Sequence, residues 1–271
     1  MTHTTTTTDR PPDRDTALAR SLVYGFLARA LAFPTADRLA QLRRHLGPAV
    51  VATTAGDPGL GALTRDVVAA LDGHDDGLRR GHTRTFPPIE SREHPAYESA
   101  YASGDIFVQT QVMADVAGFY RAHGLAVGGP ERERPDHIGT ELEFMGFMAR
   151  KEAVALDELG SGEVAECRRT QRHFLRDHLG CWGPAFGERL ALSASGDLHS
   201  RLGRLIRAWL DGDMAALDVV PARLLDTPHP PPPPDDGACG LDAEVAGTGV
   251  PGAAPVATPV DCPTPGRRTA G

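Results

Sequence analysis

The fold class this sequence predicts is all-α, a helical bundle of roughly eight to ten helices. Three observations predict it. Apolar residues recur at helical spacing in segment after segment between Thr16 and Asp226. Strand-period alternation is not sustained anywhere, so no sheet is expected. Helix starts and stops such as Pro34-Thr35, Asp57-Pro58 and Asp197 punctuate the chain at helical intervals.

Composition bounds the foldable part. Residues 1–15 (MTHTTTTTDRPPDRD) are Thr-rich and too polar to offset the entropy of ordering, so a disordered N-terminal tail is expected. No apolar run follows the start, which does not read as a signal peptide. Residues 227–271 open on the proline run Pro230–Pro234 and continue rich in Gly, Ala and Pro, which predicts a second disordered tail. Residues 16–226 remain for one globular domain or two small lobes. No segment approaches the roughly 20 apolar residues that span a bilayer, so no membrane insertion and a cytoplasmic location are expected. The formal charge of −8 argues against a nucleic-acid binder and suits a basic partner. Cys167, Cys181, Cys239 and Cys262 form no C-x-x-C pair and read as free thiols, with a Cys239/Cys262 metal site the less favoured alternative.

Taken in order, Leu18, Leu22, Phe26 and Ala30 place one stripe on a helix over 17–31 that Pro34 ends. Thr35 caps a second helix carrying Leu39, Leu42 and Leu46, expected to close at Gly47-Pro48. Asp57 and Pro58 start a third, with Leu60, Leu63, Val67 and Leu71. The acidic stretch 72–77 reads as a solvated loop lacking the late glutamate of a calcium loop, and 81–95 as a connector. Ser103-Gly104-Asp105 starts a helix to about His123, with Ile106, Met113, Ala117 and Tyr120 on one stripe and Phe107, Ala114 and Gly118 on the next. A helix this apolar around its circumference is expected to be central. After the Gly128-Gly129-Pro130 turn, Pro135 sets the entry and Asp136 caps a helix carrying Ile138, Leu142, Met145 and Ala149. A helix over 163–179 is expected to break at Cys181-Trp182-Gly183-Pro184, followed by a short helix over 185–192. Asp197 caps one carrying Leu198, Leu202, Leu205, Ile206 and Trp209, and a last helix over 214–225 bends at Pro221.

The chain holds no phosphate loop, dinucleotide fingerprint, zincin motif or nucleophile elbow. Two polar groups stand out. Asp136, His137 and Glu141 sit at the start of one helix, His137 and Glu141 on one face. With Glu93, His94 and Glu98 they contain ligand types for a metal-dependent helical enzyme using His94 and His137. The structural alternative has Asp136 as the cap, His137 on a turn carbonyl and Glu141 half exposed. The second group is Glu98 and Tyr101 beside Tyr97, a carboxylate among aromatic rings that suits a basic peptide side chain, or else a surface acid beside a core tyrosine. Asp115, if buried, needs a partner such as Arg121 or His137. Arg43-Arg44 reads as a solvated helix face.

Tyr97-Glu98-x-x-Tyr101, MADVAGFYRAHGL (113–125), ERPDHIGTELEFM (133–145) followed by Lys151-Glu152-Ala153, and HFLRDHLGCWGPAF (173–186) together resemble the TorD/DmsD/NarJ family of maturation chaperones for molybdenum enzymes. The spelling is most similar to chaperones of type II dimethyl sulfoxide reductase family enzymes, such as selenate reductase and ethylbenzene dehydrogenase. The resemblance covers about 16–226, and the proline-rich C-terminus departs from it. It implies lobes over 16–130 and 135–226 with a hinge at Pro135-Asp136-His137. It implies a cytoplasmic, non-enzymatic chaperone without a cofactor or metal. Such a chaperone binds the apo catalytic subunit of a molybdopterin enzyme, or its twin-arginine leader, until the cofactor is inserted. By the motif match Asp136 and His137 are the leading candidates for the client-binding or hinge surface, with Glu98 and Tyr101 next; Asp115, Tyr120, Pro135 and Glu141 complete the set. Members of the family exchange lobes between chains, so both a monomer and a lobe-swapped dimer are consistent with it.

Overall fold

The structure, a computed structural model, describes residues 13–87, 93–128, 133–193 and 197–229. The sequence-based expectations for residues 1–12, for 230–271 with Cys239 and Cys262, and for the turn at Gly129-Pro130 lie outside these residues; Arg14 and Asp15, assigned to the N-terminal tail by sequence, already belong to the first helix, and residues 227–229 carry no regular structure. The described chain is all-helical, as expected. Its helices are α1 (Arg14–Leu31), α2 (Ala36–Gly56), α3 (Pro58–Leu71), α4 (Asp75–Thr85), α5 (Glu98–Ala102), α6 (Ile106–Ala122), α7 (Ile138–Val154), α8 (Ser161–Phe174), α9 (Gly180–Ala191) and α10 (Leu198–Ala216). π-helical turns at Ala155–Leu159 and Leu175–Leu179 lie between α7 and α8 and between α8 and α9.

Local chemistry starts most of the helices. Asp13, Thr35, Asp57, Asp105 and Asp197 each accept a hydrogen bond from a first-turn N–H. Pro58 occupies the first turn of α3, where no N–H is needed. Arg43 is not merely solvated: it reaches from α2 to the Leu71 carbonyl at 3.2 Å and to Asp75 at 2.8 Å, tying the end of α3 to the start of α4.

Several elements differ from the sequence-based expectation. Helix α2 does not close at Gly47-Pro48 but runs to Gly56 with Pro48 inside it. Pro48 faces solvent, so water can take up the carbonyl its missing N–H leaves unpaired, while Ala49 and Thr53 stay buried. Residues 75–85 form α4 rather than loop and connector; its buried stripe is Leu78, Gly81 and Thr85, helical in period but weak in apolar content. The expected break at residues 181–184 is absent, because the π-helical turn passes directly into α9 with Pro184 inside. No helix forms over 214–225: α10 ends at Ala216 and the chain continues without regular structure to His229. Helix α6 is not central. It buries only Val112, Val116 and Tyr120, and Phe107 and Ile106 are 81% and 59% exposed.

Packing is organised by two helix pairs. Helix α1 lies along α7, where Gly146 brings the α7 backbone against Tyr24 and Ser21. Helix α10 lies along α9, where Gly187 and Gly203 face each other so closely that a Cβ on Gly203 would sit 2.5 Å from the Gly187 carbonyl oxygen. Helix α10 also touches α1, α3 and α4. The segments before and after Pro135 thus contribute to one core, which includes Tyr24, Phe26, Leu71, Leu142, Met145, Trp182, Phe186 and Leu205.

One buried charge network sits among these helices. Arg20 of α1 donates to Asp213 of α10 at 2.5 and 2.8 Å and to Glu152 of α7 at 3.2 Å. The Tyr24 hydroxyl donates to Asp213 at 2.7 Å, and Arg168 and Gln171 of α8 donate to Glu152 at 2.6 and 2.8 Å. Removing one partner leaves a buried charge uncompensated, so Asp213→Ala is expected to cost about 3–5 kcal/mol in urea unfolding. A loss below about 1 kcal/mol would show that water reaches the site and screens it.

Candidate functional site

The site begins with a short pairing of two extended segments. The Glu98 N–H donates to the Asp136 carbonyl and the Ile138 N–H donates to the Ala96 carbonyl, both at 2.9 Å. Tyr97 and His137 thereby form an antiparallel bridge, the only β-pairing among the described residues. The pair joins the start of α5 to the start of α7.

Asp136 is the buried centre of this junction. Its carboxylate accepts two hydrogen bonds from Arg134, at 3.0 and 2.9 Å, and one from the Ser99 N–H at 3.2 Å. Arg134 also donates to Ser99 Oγ at 2.6 Å and stacks on the Tyr97 ring at 4.3 Å. Asp136 therefore does not cap α7, as the sequence suggested. His137 does, its Nδ1 accepting from the Gly139 N–H at 3.1 Å. That bond needs a neutral ring, and burial lowers the His137 pKa accordingly. Pro135 offers its carbonyl to the Tyr120 hydroxyl at 2.8 Å, which ties α6 to the junction.

Beneath the bridge lie two buried carboxylates. Glu98 meets His178 Nδ1 at 3.0 Å and Arg223 at 3.5 Å. Glu141 is fully buried, not half exposed, and accepts from Trp182 Nε1 at 3.2 Å. Tyr101 is buried too, its ring 5.2 Å from that of Trp182. Asp115 is 70% exposed and lies 3.6 Å from His178, so neither Arg121 nor His137 serves it. The sequence reading missed His178, Trp182, Arg134 and Arg223. His178 and Trp182 do fall inside the 173–186 motif, which was the available signal.

Above the bridge opens a groove of about 1,020 Å³. Leu31, Phe33, Phe86, Leu125, Val127, Phe144 and Phe147 supply apolar wall; Tyr97, Tyr120 and His137 line it, with Glu133, Arg134, Glu143 and Arg38 as its charges. Its volume is at or above the upper end of small-molecule pockets, roughly 300–1,000 Å³. Of the sequence-predicted residues, Tyr120 and His137 reach the groove, while Glu98, Tyr101, Asp136 and Glu141 lie under it. The suggested metal set is not assembled: among the described residues no three His, Cys, Asp or Glu side chains are placed to hold an ion.

Residues 54–188 match the family described as nitrate reductase delta subunit. A perchlorate reductase assembly chaperone protein of Dechloromonas aromatica is 31% identical over 182 residues, 63% of this chain and 77% of that protein. The chain belongs to this family, the TorD/NarJ chaperones. A selenate reductase assembly chaperone protein of Thauera selenatis is 35% identical over 100 residues, 36% of this chain and 50% of that protein. A chaperone protein TorD of Vibrio cholerae is 29% identical over 111 residues, 41% of this chain and 47% of its own length. The chain thus spans about half the length of these last two relatives. The matched region runs from α2 to α9 and contains the bridge, the buried carboxylates and most of the groove; α10 and the segment after it lie beyond the match. No helix among the described residues is long and apolar enough to cross a membrane.

The Glu141 carboxyl is held well above the ordinary carboxylate value of 4.5, first by burial and then by the nearby Glu98 carboxylate. The folded chain keeps a proton that the unfolded chain loses, so this group's contribution to stability falls as pH rises above 4.5. Glu141→Gln keeps an acceptor for Trp182 and cannot ionise. Its melting temperature is expected to exceed that of the parent at about pH 8, with the gap closing towards about pH 4.5. A variant that falls further below the parent as pH rises would contradict this.

Proposed function

We propose that this chain is a cytoplasmic, non-enzymatic assembly chaperone for the catalytic subunit of a molybdopterin reductase. It holds the apo subunit, or its twin-arginine leader, in the groove above the bridge while the cofactor is inserted. Relatives named for the assembly of perchlorate, selenate and chlorate reductases support the client class.

The observation that carries the reading is the make-up of the groove. A leader of this kind is a basic stretch followed by an apolar, helix-prone one. Its apolar part needs an open trough, and its basic part needs carboxylates at the edge, which is the helix-in-groove mode. Phe33 and Phe147 are exposed along the groove, and Glu133 and Glu143 stand with them. Of the two groove arginines, Arg134 is taken up by Asp136 and Tyr97, and Arg38 donates to the Phe33 carbonyl while its charge also acts on Glu143. His137 and Tyr120 touch the client from the floor. Asp136, Pro135, Glu98, Tyr101 and Glu141 act from below by fixing where that floor stands.

The test is fluorescence anisotropy with a labelled synthetic twin-arginine leader. Glu143→Lys and Phe147→Ala, both on the exposed side of α7, are each expected to weaken binding by about tenfold with unchanged helix content. Parent-like affinity in both variants would take the leader out of this groove.

A further inference from the structure

Beyond α10 the chain changes character. Asp218 takes a left-handed φ of 53°, and the Asp218 and Val219 N–H groups bond back to the Ala215 and Met214 carbonyls, a helix stop usually made by glycine. From Val219 to His229 the chain forms a strap without regular structure, held to the body by three main-chain bonds. Ala222 N–H donates to the Arg176 carbonyl at 2.7 Å, Leu225 N–H to the Cys181 carbonyl at 2.9 Å, and His229 N–H to the Ala100 carbonyl at 2.7 Å. The chain bends at Ala222-Arg223 and at Thr227, with Ala222, Arg223 and Leu224 exposed in succession. Arg223 reaches in to Glu98 at 3.5 Å, Leu224 points out and is 71% exposed, and Leu225 packs against the core.

The contact between Arg223 and Glu98 is lopsided. The Glu98 side chain is fully buried, whereas that of Arg223 is 51% exposed. A buried carboxylate needs a cation or donors, and Glu98 otherwise has His178. The arginine comes from a surface segment, and its contact lies at the outer limit of hydrogen-bonding distance. A guanidinium from another chain could take its place without opening the core.

We propose that residues 219–229 are an internal pseudo-ligand. They occupy a docking site for a peptide segment that carries an arginine and, two residues on, an aliphatic side chain. The acceptors are the Arg176, Cys181 and Ala100 carbonyls; Glu98 reads the arginine. The strap closes this site until a client segment of the same chemistry displaces it. The site is separate from the groove, and it rests on the chaperone reading only for who supplies the competing peptide.

The probe is a labelled peptide of residues 219–229, titrated into the full chain and into the full chain with Arg223→Glu. In the variant, like charges against Glu98 lift the strap. The peptide is expected to bind the variant at least about tenfold more tightly than the parent, and an Arg223→Ala version of the peptide to lose about tenfold. Should Arg223→Glu fail to fold by circular dichroism, Ala222→Pro takes its place by removing the N–H that bonds Arg176. Equal affinity for parent and opened chain, or indifference to the peptide's arginine, overturns the proposal. A twin-arginine leader is run in parallel. Leader binding without strap-peptide binding overturns the strap and leaves the groove reading intact. Strap-peptide binding to the opened chain without any leader binding supports the strap and removes the leader.

Discussion

Two backbone hydrogen bonds, Glu98 to Asp136 and Ile138 to Ala96, are the constraint on which the rest of this structure depends. They join segments far apart in sequence at the one point where neither is helical. The candidate site is placed from there. The bridge sets where α7 begins, which puts His137 at the cap and Glu141 one turn in, under Trp182. It sets where α5 begins, which turns Glu98 inward to His178. Asp136 holds the pair closed because its carboxylate takes up donors from both sides, Arg134 on its own segment and the Ser99 N–H across the bridge.

The molecule keeps its charges in two sets with different duties. The Arg20–Asp213–Glu152 network ties α1, α7, α8 and α10 together. The Glu98–His178–Arg223 set lies between the bridge and the surface, and one of its members is supplied by a strap rather than a helix. Buried ion pairs contribute little net stability compared with apolar packing but are costly to break. A pair whose cation sits on a displaceable segment is therefore better suited to switching partners than to holding a core. On the proposed reading, recognition uses two neighbouring faces, an open groove above the bridge and a strapped surface beside it.

Much of the fold was legible because long apolar stripes leave little choice. The stripes of α1, α7 and α10 read as helices, and the aspartate and threonine caps marked where several of them start. What was not legible shares a cause: a local rule was overruled by surroundings the sequence does not display. Pro48 reads as a stop, yet on a solvent-facing turn it need not be one. Helix α4 carries Gly, His and Thr where apolar residues would have announced it. The period of α6 was visible, but which face finds a partner depends on α7 and α8, which meet it through Phe119 and Tyr120 rather than through Ile106 and Phe107. The site shows the same limit. Glu98 and Glu141 look like surface acids until partners 80 and 41 residues away are brought to them. The Pro-Asp-His segment stood out, and its residues do sit at the junction, but the spacing could not say that the histidine caps the helix and the aspartate braces the bridge.

The most direct measurement is amide hydrogen exchange at Glu98, Ser99 and Ile138 in the parent and in Asp136→Asn, which preserves the shape of the side chain and removes its charge. If Asp136 holds the bridge shut, these three amides exchange only through rare opening in the parent. They then exchange about 10- to 100-fold faster in the variant, the cost of a lost charge-assisted bond, while core amides of α10 change little. Three amides that exchange at the same rate in both proteins would contradict the account, because the junction would then be held by the packing around it and not by the buried aspartate.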